Sequence, residues 1–376
     1  MVAGNRYDYR VLGATCSRLT LNVRFLALSP TTHLAVLANE QLHTMLRLDG
    51  VDGVQVPLTA LLKPLVRLGA RREAVDAVVP GFFDAVDEAN FRFTHESRDE
   101  LARRWLGDLQ ALARAGCLIR EEIPSLVLAM LFIGLDQRSS YHLNTCVVVA
   151  VETVCAAVSS GEDALPLELS ICRHIWTWAQ SVALPVRARV VELIPGGRTL
   201  TRLGRWLAHA FLTGADMTSV DADTYAQPPP LDVLILLLSQ TRPPKGGVQE
   251  GEHLAPFVVC PETDYNAIRH HVDLLARCLA NVREYLTSGS VTAGSDLAEI
   301  QPLMKRLTEK LPSGVKGGNV TASAVQQVLT QLHITVCIQV SNIMNKTTGQ
   351  RQNVLDYIDS PKKQTASAPS PSHDSD

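Results

Sequence analysis

Charge and aromatic rings are both scarce in this chain of 376 residues. Charged residues make up 19% and aromatics 5%, against roughly 25% charged in ordinary globular proteins. So few charges leave part of a monomer's surface uncovered, which implies that partners cover it. So few rings argue against recognition by base stacking. The net charge is −3, with a sequence pI near 6.4, which excludes a uniformly basic coat for nucleic acid and confines any polyanion site to a local patch. Catalytic signatures are missing too. The sequence holds no Gly-x-x-x-x-Gly-Lys-Ser/Thr phosphate loop, no Gly-x-Ser-x-Gly elbow, no His-Glu-x-x-His pair and no kinase set, so it is read as a non-enzyme. The apolar runs 126–135, 146–151 and 231–238 are well short of the roughly 18 residues a membrane-spanning helix needs. Residues 1–10 are polar, without the apolar stretch of a signal peptide, and an intracellular location is expected. Eight cysteines, at 16, 117, 146, 155, 172, 260, 278 and 337, never form Cys-x-x-Cys, so they are expected reduced and mostly buried.

What is present is helical periodicity. Residues 96–118 carry Leu101, Trp105, Leu109, Leu112 and Leu118 along one side, with arginines available to the other. Residues 123–157 are apolar nearly all round, which predicts helices enclosed by others and the centre of the core. Pro185 is expected to stop or kink the helix that precedes it, and Pro195-Gly196-Gly197 predicts a turn before a helix over 199–213. Further helices are expected over 264–286, over 297–311 with Pro302 near its start, and over 322–344, where Val325, Val328, Leu329, Leu332, Val336 and Val340 recur at three and four.

The fold class expected is mainly α: a two-lobed irregular helical bundle with a short β-hairpin or extended arm at the N-terminus. The divisions are an arm over 1–38, a helical N-terminal lobe over 39–225, a Pro/Gly-rich linker over 226–256, a helical C-terminal lobe over 257–359 and a disordered polar tail over 360–376.

Charge is segregated along the chain. Between residues 171 and 210 stand Arg173, Arg187, Arg189, Arg198, Arg202 and Arg205 against one acid, Glu192, a local charge of +5 that leaves −8 for the rest. The helix predicted there sets Arg198, Arg202 and Arg205 at i, i+4 and i+7, on one face. Two readings stand. A guanidinium row without acids suits successive phosphate oxygens; alternatively, the arginines pair internally with the acidic segment 216–264. A second basic row, Lys63, Arg67, Arg71 and Arg72, reads as an ordinary solvated helix face. The ligand-type residues Cys260, Glu262, Asp264, His270 and His271 lack the recurring spacing of a structural zinc site and read as a loop leading into a capped helix. No metal and no cofactor are expected.

The stretch Ile123-Pro-Ser-Leu-Val-Leu-Ala-Met-Leu-Phe-Ile-Gly-Leu-Asp-Gln-Arg-Ser-Ser, an enclosed apolar helix closing in a Gly/Asp/Arg/Ser turn, resembles the central core of nucleoproteins of non-segmented negative-strand RNA viruses. The resemblance implies a two-lobed helical protein that clamps single-stranded RNA in a basic cleft, with Arg187, Arg189, Arg198, Arg202 and Arg205 near the junction. It also implies polymerisation through terminal arms, contacts with polymerase-associated proteins, and residence in the host cytoplasm, nucleus or virion. The alternative from another class is a helical scaffold that binds proteins and no nucleic acid.

Overall fold

The computed structural model describes residues 54–82, 94–158, 164–196, 200–242, 255–260, 263–287, 293–312 and 320–348, together with scattered positions between 37 and 46. The expected N-terminal arm apart from Leu37, the polar tail, Arg198, and residues 243–254 of the Pro/Gly-rich linker lie outside them. Among the described residues the chain is helices joined by turns, without a strand; Val56 and Leu118 form an isolated bridge. The helices are α1 (Leu58–Arg67), α2 (Arg72–Val78), α3 (His95–Arg114), α4 (Ile123–Leu135), α5 (Tyr141–Val158), α6 (Ala164–Ala179), α7 (Leu184–Leu193), α8 (Thr201–Thr213), α9 (Ala222–Ala226), α10 (Asp232–Ser239), α11 (Tyr265–Cys278), α12 (Val282–Thr287), α13 (Ala293–Lys310) and α14 (Val320–Thr348). The mainly α class is therefore observed. The chain divides into two units, Met1–Ala280 and Asn281–Asp376.

In the first unit α3 starts at Thr94, whose side chain accepts from the Ser97 N–H at 3.3 Å, a side-chain cap for an otherwise orphan donor. Its Leu101, Trp105, Leu109 and Leu112 are buried, α3 lies against α5, and the Trp105 indole donates to the Leu61 carbonyl of α1 at 2.8 Å. Glu122, just before α4, accepts from the Leu58 N–H at 2.6 Å and caps α1 from 64 residues away. The helix α4 is enclosed by α2, α5, α6 and α7, and Ile123, Leu126, Val127, Leu128, Met130 and Leu131 are buried on every side of it. Each such side chain contributes about 1.5–3 kcal/mol by leaving water. Pro185 does not end the preceding helix; it sits in the first turn of α7, where its missing N–H is no loss.

A second enclosed helix is α8, packed by α6, α7, α10 and α11. It ends at Gly214, whose φ of 74° is the left-handed value that glycine adopts without strain, and whose N–H donates to the Ala210 carbonyl at 2.9 Å. The described parts of 226–256 and their neighbours also belong to this unit: Leu231, Leu234, Leu238 and Phe257 are buried, and α10 and α11 both pack on α8. The division of the chain thus falls at 280/281 and not in the proline-rich stretch. There the single helix expected over 264–286 is broken into α11 and α12 around Asn281, which has a φ of 57°, a conformation asparagine tolerates better than most residues.

The second unit holds α12, α13 and α14. Leu297, Ile300, Met304 and Leu307 of α13 are buried, as are Ala322, Val325, Leu329 and Val336 of α14; Val328, Leu332 and Val340 are half-buried. The Val282 N–H donates to Gln339 Oε1 at 3.2 Å. The helix expected over 297–311 begins earlier, at Ala293, which puts Pro302 inside α13. No helix among the described residues is long and apolar enough to cross a membrane.

Candidate nucleic-acid interface

The arginine-rich middle of the chain finds its partners on the backbone. An α-helix leaves its last carbonyls without N–H donors, and they carry the negative end of the helix dipole. Arg187 of α7 donates from Nε to the Ala179 and Val182 carbonyls, both at 3.0 Å, and from Nη2 to the Gln180 carbonyl at 2.8 Å, closing the end of α6. Arg277 of α11 donates from Nη2 to the Ile194 and Pro195 carbonyls, at 2.9 and 2.6 Å, just past the end of α7. Arg205 of α8 donates to the Ala280 carbonyl at 2.7 Å, just past the end of α11. Arg173 of α6 donates to the Met217 and Val220 carbonyls, at 3.2 and 2.5 Å, in the turn after α8. The four arginines form a closed circuit: α7 holds α6, α11 holds α7, α8 holds α11, and α6 holds the segment that leaves α8.

Arg205 and Arg277 are close enough to affect each other. Burial, and then the charge of Arg205, hold the Arg277 guanidinium below its ordinary pKa. The approach depends on Gly204, where an added Cβ would fall 2.5 Å from Arg277 Nη2.

These contacts revise the expected open row of guanidinium groups. Arg205 is 1% exposed, because α8 is covered on the face that carries it. Arg187 is half-buried and turned to carbonyls. Arg189 and Arg202 keep an open side, their side chains 35% and 36% exposed. Arg189 pairs with the exposed Glu192 at 2.6 Å. Arg202 lies 3.7 Å from Glu168 and 6.0 Å from the centre of the Tyr225 ring.

Internal pairing with the acidic segment is not what satisfies the described arginines either. Asp216 accepts from the Thr218 N–H at 2.8 Å, Asp221 caps α9 through the Thr224 N–H at 2.7 Å, and Asp264 caps α11 through the Asn266 N–H at 2.9 Å. Asp216, Asp221 and Asp264 serve N–H groups in turns and at helix starts, and Arg173, Arg187, Arg205 and Arg277 serve carbonyls at helix ends or in the turn after α8.

Beneath Arg202 lies a polar cluster. Tyr225 donates to Glu168 Oε1 at 3.1 Å, and its ring stacks on Trp206 with centroids 5.9 Å apart. The Trp206 indole donates to the Tyr225 and Gln227 carbonyls, at 3.2 and 3.0 Å. Burial pushes the Tyr225 hydroxyl and the Cys172 thiol well above their usual pKa, so both are neutral and the cluster is structural. Trp105 and Trp206 are core residues, and Trp178 meets Phe132 edge-on at 4.9 Å.

Around Cys260, Thr263 Oγ1 accepts from the Cys260 N–H at 2.7 Å, and His271 Nδ1 lies 3.1 Å from the Pro256 carbonyl with its pKa lowered to about 4 by burial. No three metal-ligating side chains gather among the described residues. The seven described cysteines are free thiols, with Cys117, Cys155, Cys172 and Cys278 buried.

Arg277 also belongs to the frame, and its role leaves no mark in the sequence: its place in the last turn of α11 suits the end of its own helix, whereas its guanidinium reaches the carbonyls past the end of α7. Comparison of the chain with family models, curated proteins and solved structures gave no match.

Proposed function

We propose that this chain is an RNA-coating nucleoprotein, one that grips single-stranded RNA by its backbone without sequence preference and self-assembles. The observation that carries the reading is the excess of arginine over acid between residues 171 and 210, of which Arg189 and Arg202 retain solvent-facing guanidinium groups. Arg198, four residues before Arg202 in sequence, completes the proposed phosphate-contacting set. Exposed ion pairs such as Arg189–Glu192 contribute about 0–1 kcal/mol and exchange readily for a phosphate. Arg187 and Arg205 build the frame. Self-assembly is supported by an outward stripe on α5, Tyr141, Thr145 and Val149, at i, i+4 and i+8, of which Tyr141 is 87% exposed.

The same stripe supports a second reading, a helical scaffold whose partners are other proteins. The two separate on purified protein. An RNA coat copurifies with nucleic acid, giving a high 260/280 nm absorbance ratio in particles far larger than 41.0 kDa. After stripping, it binds poly-U and poly-A alike, with log affinity falling against log salt at a slope near −2 for three phosphates neutralised. A clean monomer that binds neither polymer contradicts the nucleoprotein reading.

A further inference from the structure

The acids beside the two open arginines differ in freedom. Glu192, three residues after Arg189 on α7, is 67% exposed, so its side chain can swing into water. Glu168 of α6 is only 12% exposed, and its Oε2 lies 3.7 Å from Arg202 Nη1 on α8. It is held where it stands: its Oε1 accepts from the Tyr225 hydroxyl at 3.1 Å, and the Tyr225 ring is stacked on Trp206. The pair is near without being closed, because charge-assisted N–H···O bonds run about 2.7–2.9 Å. Arg202 thus has a fixed carboxylate at its side and keeps its outer side open to a second anion.

We propose that Glu168 is a built-in competitor for phosphate at Arg202, holding the affinity of the chain for RNA below what its arginines alone would give. The inference rests on the RNA-coating reading above. A phosphate that forks onto Arg202 brings its charge to within roughly 6 Å of a carboxylate that cannot turn away. Repulsion at that separation weakens binding about threefold at the dielectric of water and about tenfold at half that value. At Arg189 the same repulsion is relieved, since Glu192 can move off into solvent and be screened there.

The test measures anisotropy of a labelled poly-U oligomer with the full chain, after circular dichroism has checked that each variant folds. Glu168→Gln keeps an oxygen for the Tyr225 hydroxyl and loses the charge, so it should bind about three- to tenfold more tightly than wild type. Glu192→Gln makes the same change of charge on the acid that can turn away, and should gain about twofold or less. In an Arg202→Gln background the gain from Glu168→Gln should also shrink to about twofold or less, which neither a general charge effect nor a purely structural Glu168 would produce. Tyr225→Phe leaves the Glu168 charge and frees it to close on Arg202, so binding should weaken; if Glu168→Gln does not fold, this variant decides alone. Equal gains from Glu168→Gln and Glu192→Gln, a Glu168→Gln protein that binds no more tightly than wild type, or a Tyr225→Phe protein that binds as tightly as wild type would overturn the competitor while the RNA reading stands. Absence of binding in wild type and variants alike overturns both.

Discussion

Replacing Asp108 by Asn should make the protein more stable at neutral pH, by an amount that grows with pH. Asp108 sits on α3, between the buried Trp105 and Leu112 of the same helix, and is 2% exposed with Oδ1 lacking any hydrogen-bond partner. Burial raises its pKa from 3.8 to about 8; Arg104, one turn earlier, pulls the other way but is already engaged by Glu100 at 2.9 Å. The folded chain therefore keeps this carboxyl protonated through pH 7, whereas the unfolded chain releases the proton above pH 3.8. Between those values the unfolded state binds fewer protons, so stability falls as pH rises through the window from about 4 to 8. The loss is about 1.4 kcal/mol per pH unit, or about 4 kcal/mol at pH 7, a large part of the 5–15 kcal/mol typical of folded proteins. An Asn side chain has the same shape and nothing to ionise. Urea denaturation followed by circular dichroism at pH 4, 5, 6, 7 and 8 should give coincident stabilities near pH 4 and a gap in favour of Asp108→Asn that widens to pH 8. Parallel curves, or a variant less stable than wild type at pH 7, would refute the burial argument.

Two further substitutions test the packing. Gly204→Ala drives a methyl into the Arg277 guanidinium, which is held by two carbonyls and has little room to retreat, so a loss of about 1–3 kcal/mol is expected in the same denaturation assay. Leu128→Ala, in the middle of α4, leaves a cavity in the most enclosed part of the first unit and should cost about 2–5 kcal/mol.

The helices were legible where one physical signal dominated. Apolar residues around the whole of α4 announced an enclosed helix, the spacing of Trp105, Leu109 and Leu112 fixed the inner face of α3, and Asp264 announced the start of α11. The division at Asn281 was hidden because apolar spacing runs on through Leu279 and Val282, and one asparagine with positive φ leaves no trace in periodicity. The prolines at 228–230 and 243–244 drew the boundary to the wrong place for the converse reason: proline marks a turn whether or not the chain leaves the core there. The inward roles of Arg187 and Arg205 were hidden for a deeper cause. Spacing at i, i+4 and i+7 is the same for a solvated face and for guanidinium groups reaching helix ends, and the acceptors of Arg187, Arg205 and Arg277 are main-chain carbonyls, which no residue type encodes.

The central claim is a division of labour among these arginines: Arg187, Arg205 and Arg277 hold helix ends together, and Arg189, Arg198 and Arg202 face phosphate. Fluorescence anisotropy with a labelled poly-U oligomer, paired with thermal melts of the same samples, tests it on two variants. Replacing Arg189, Arg198 and Arg202 together by Gln should abolish binding and leave the melting temperature within a degree or two of wild type, since the Arg189 and Arg202 side chains are open to solvent. Replacing Arg205 by Met should lower the melting temperature by several degrees, since it strips the Ala280 carbonyl of a charged donor worth about 1.5–3 kcal/mol. Unchanged RNA affinity in the triple variant, or an Arg205→Met protein that melts as wild type, would contradict the account.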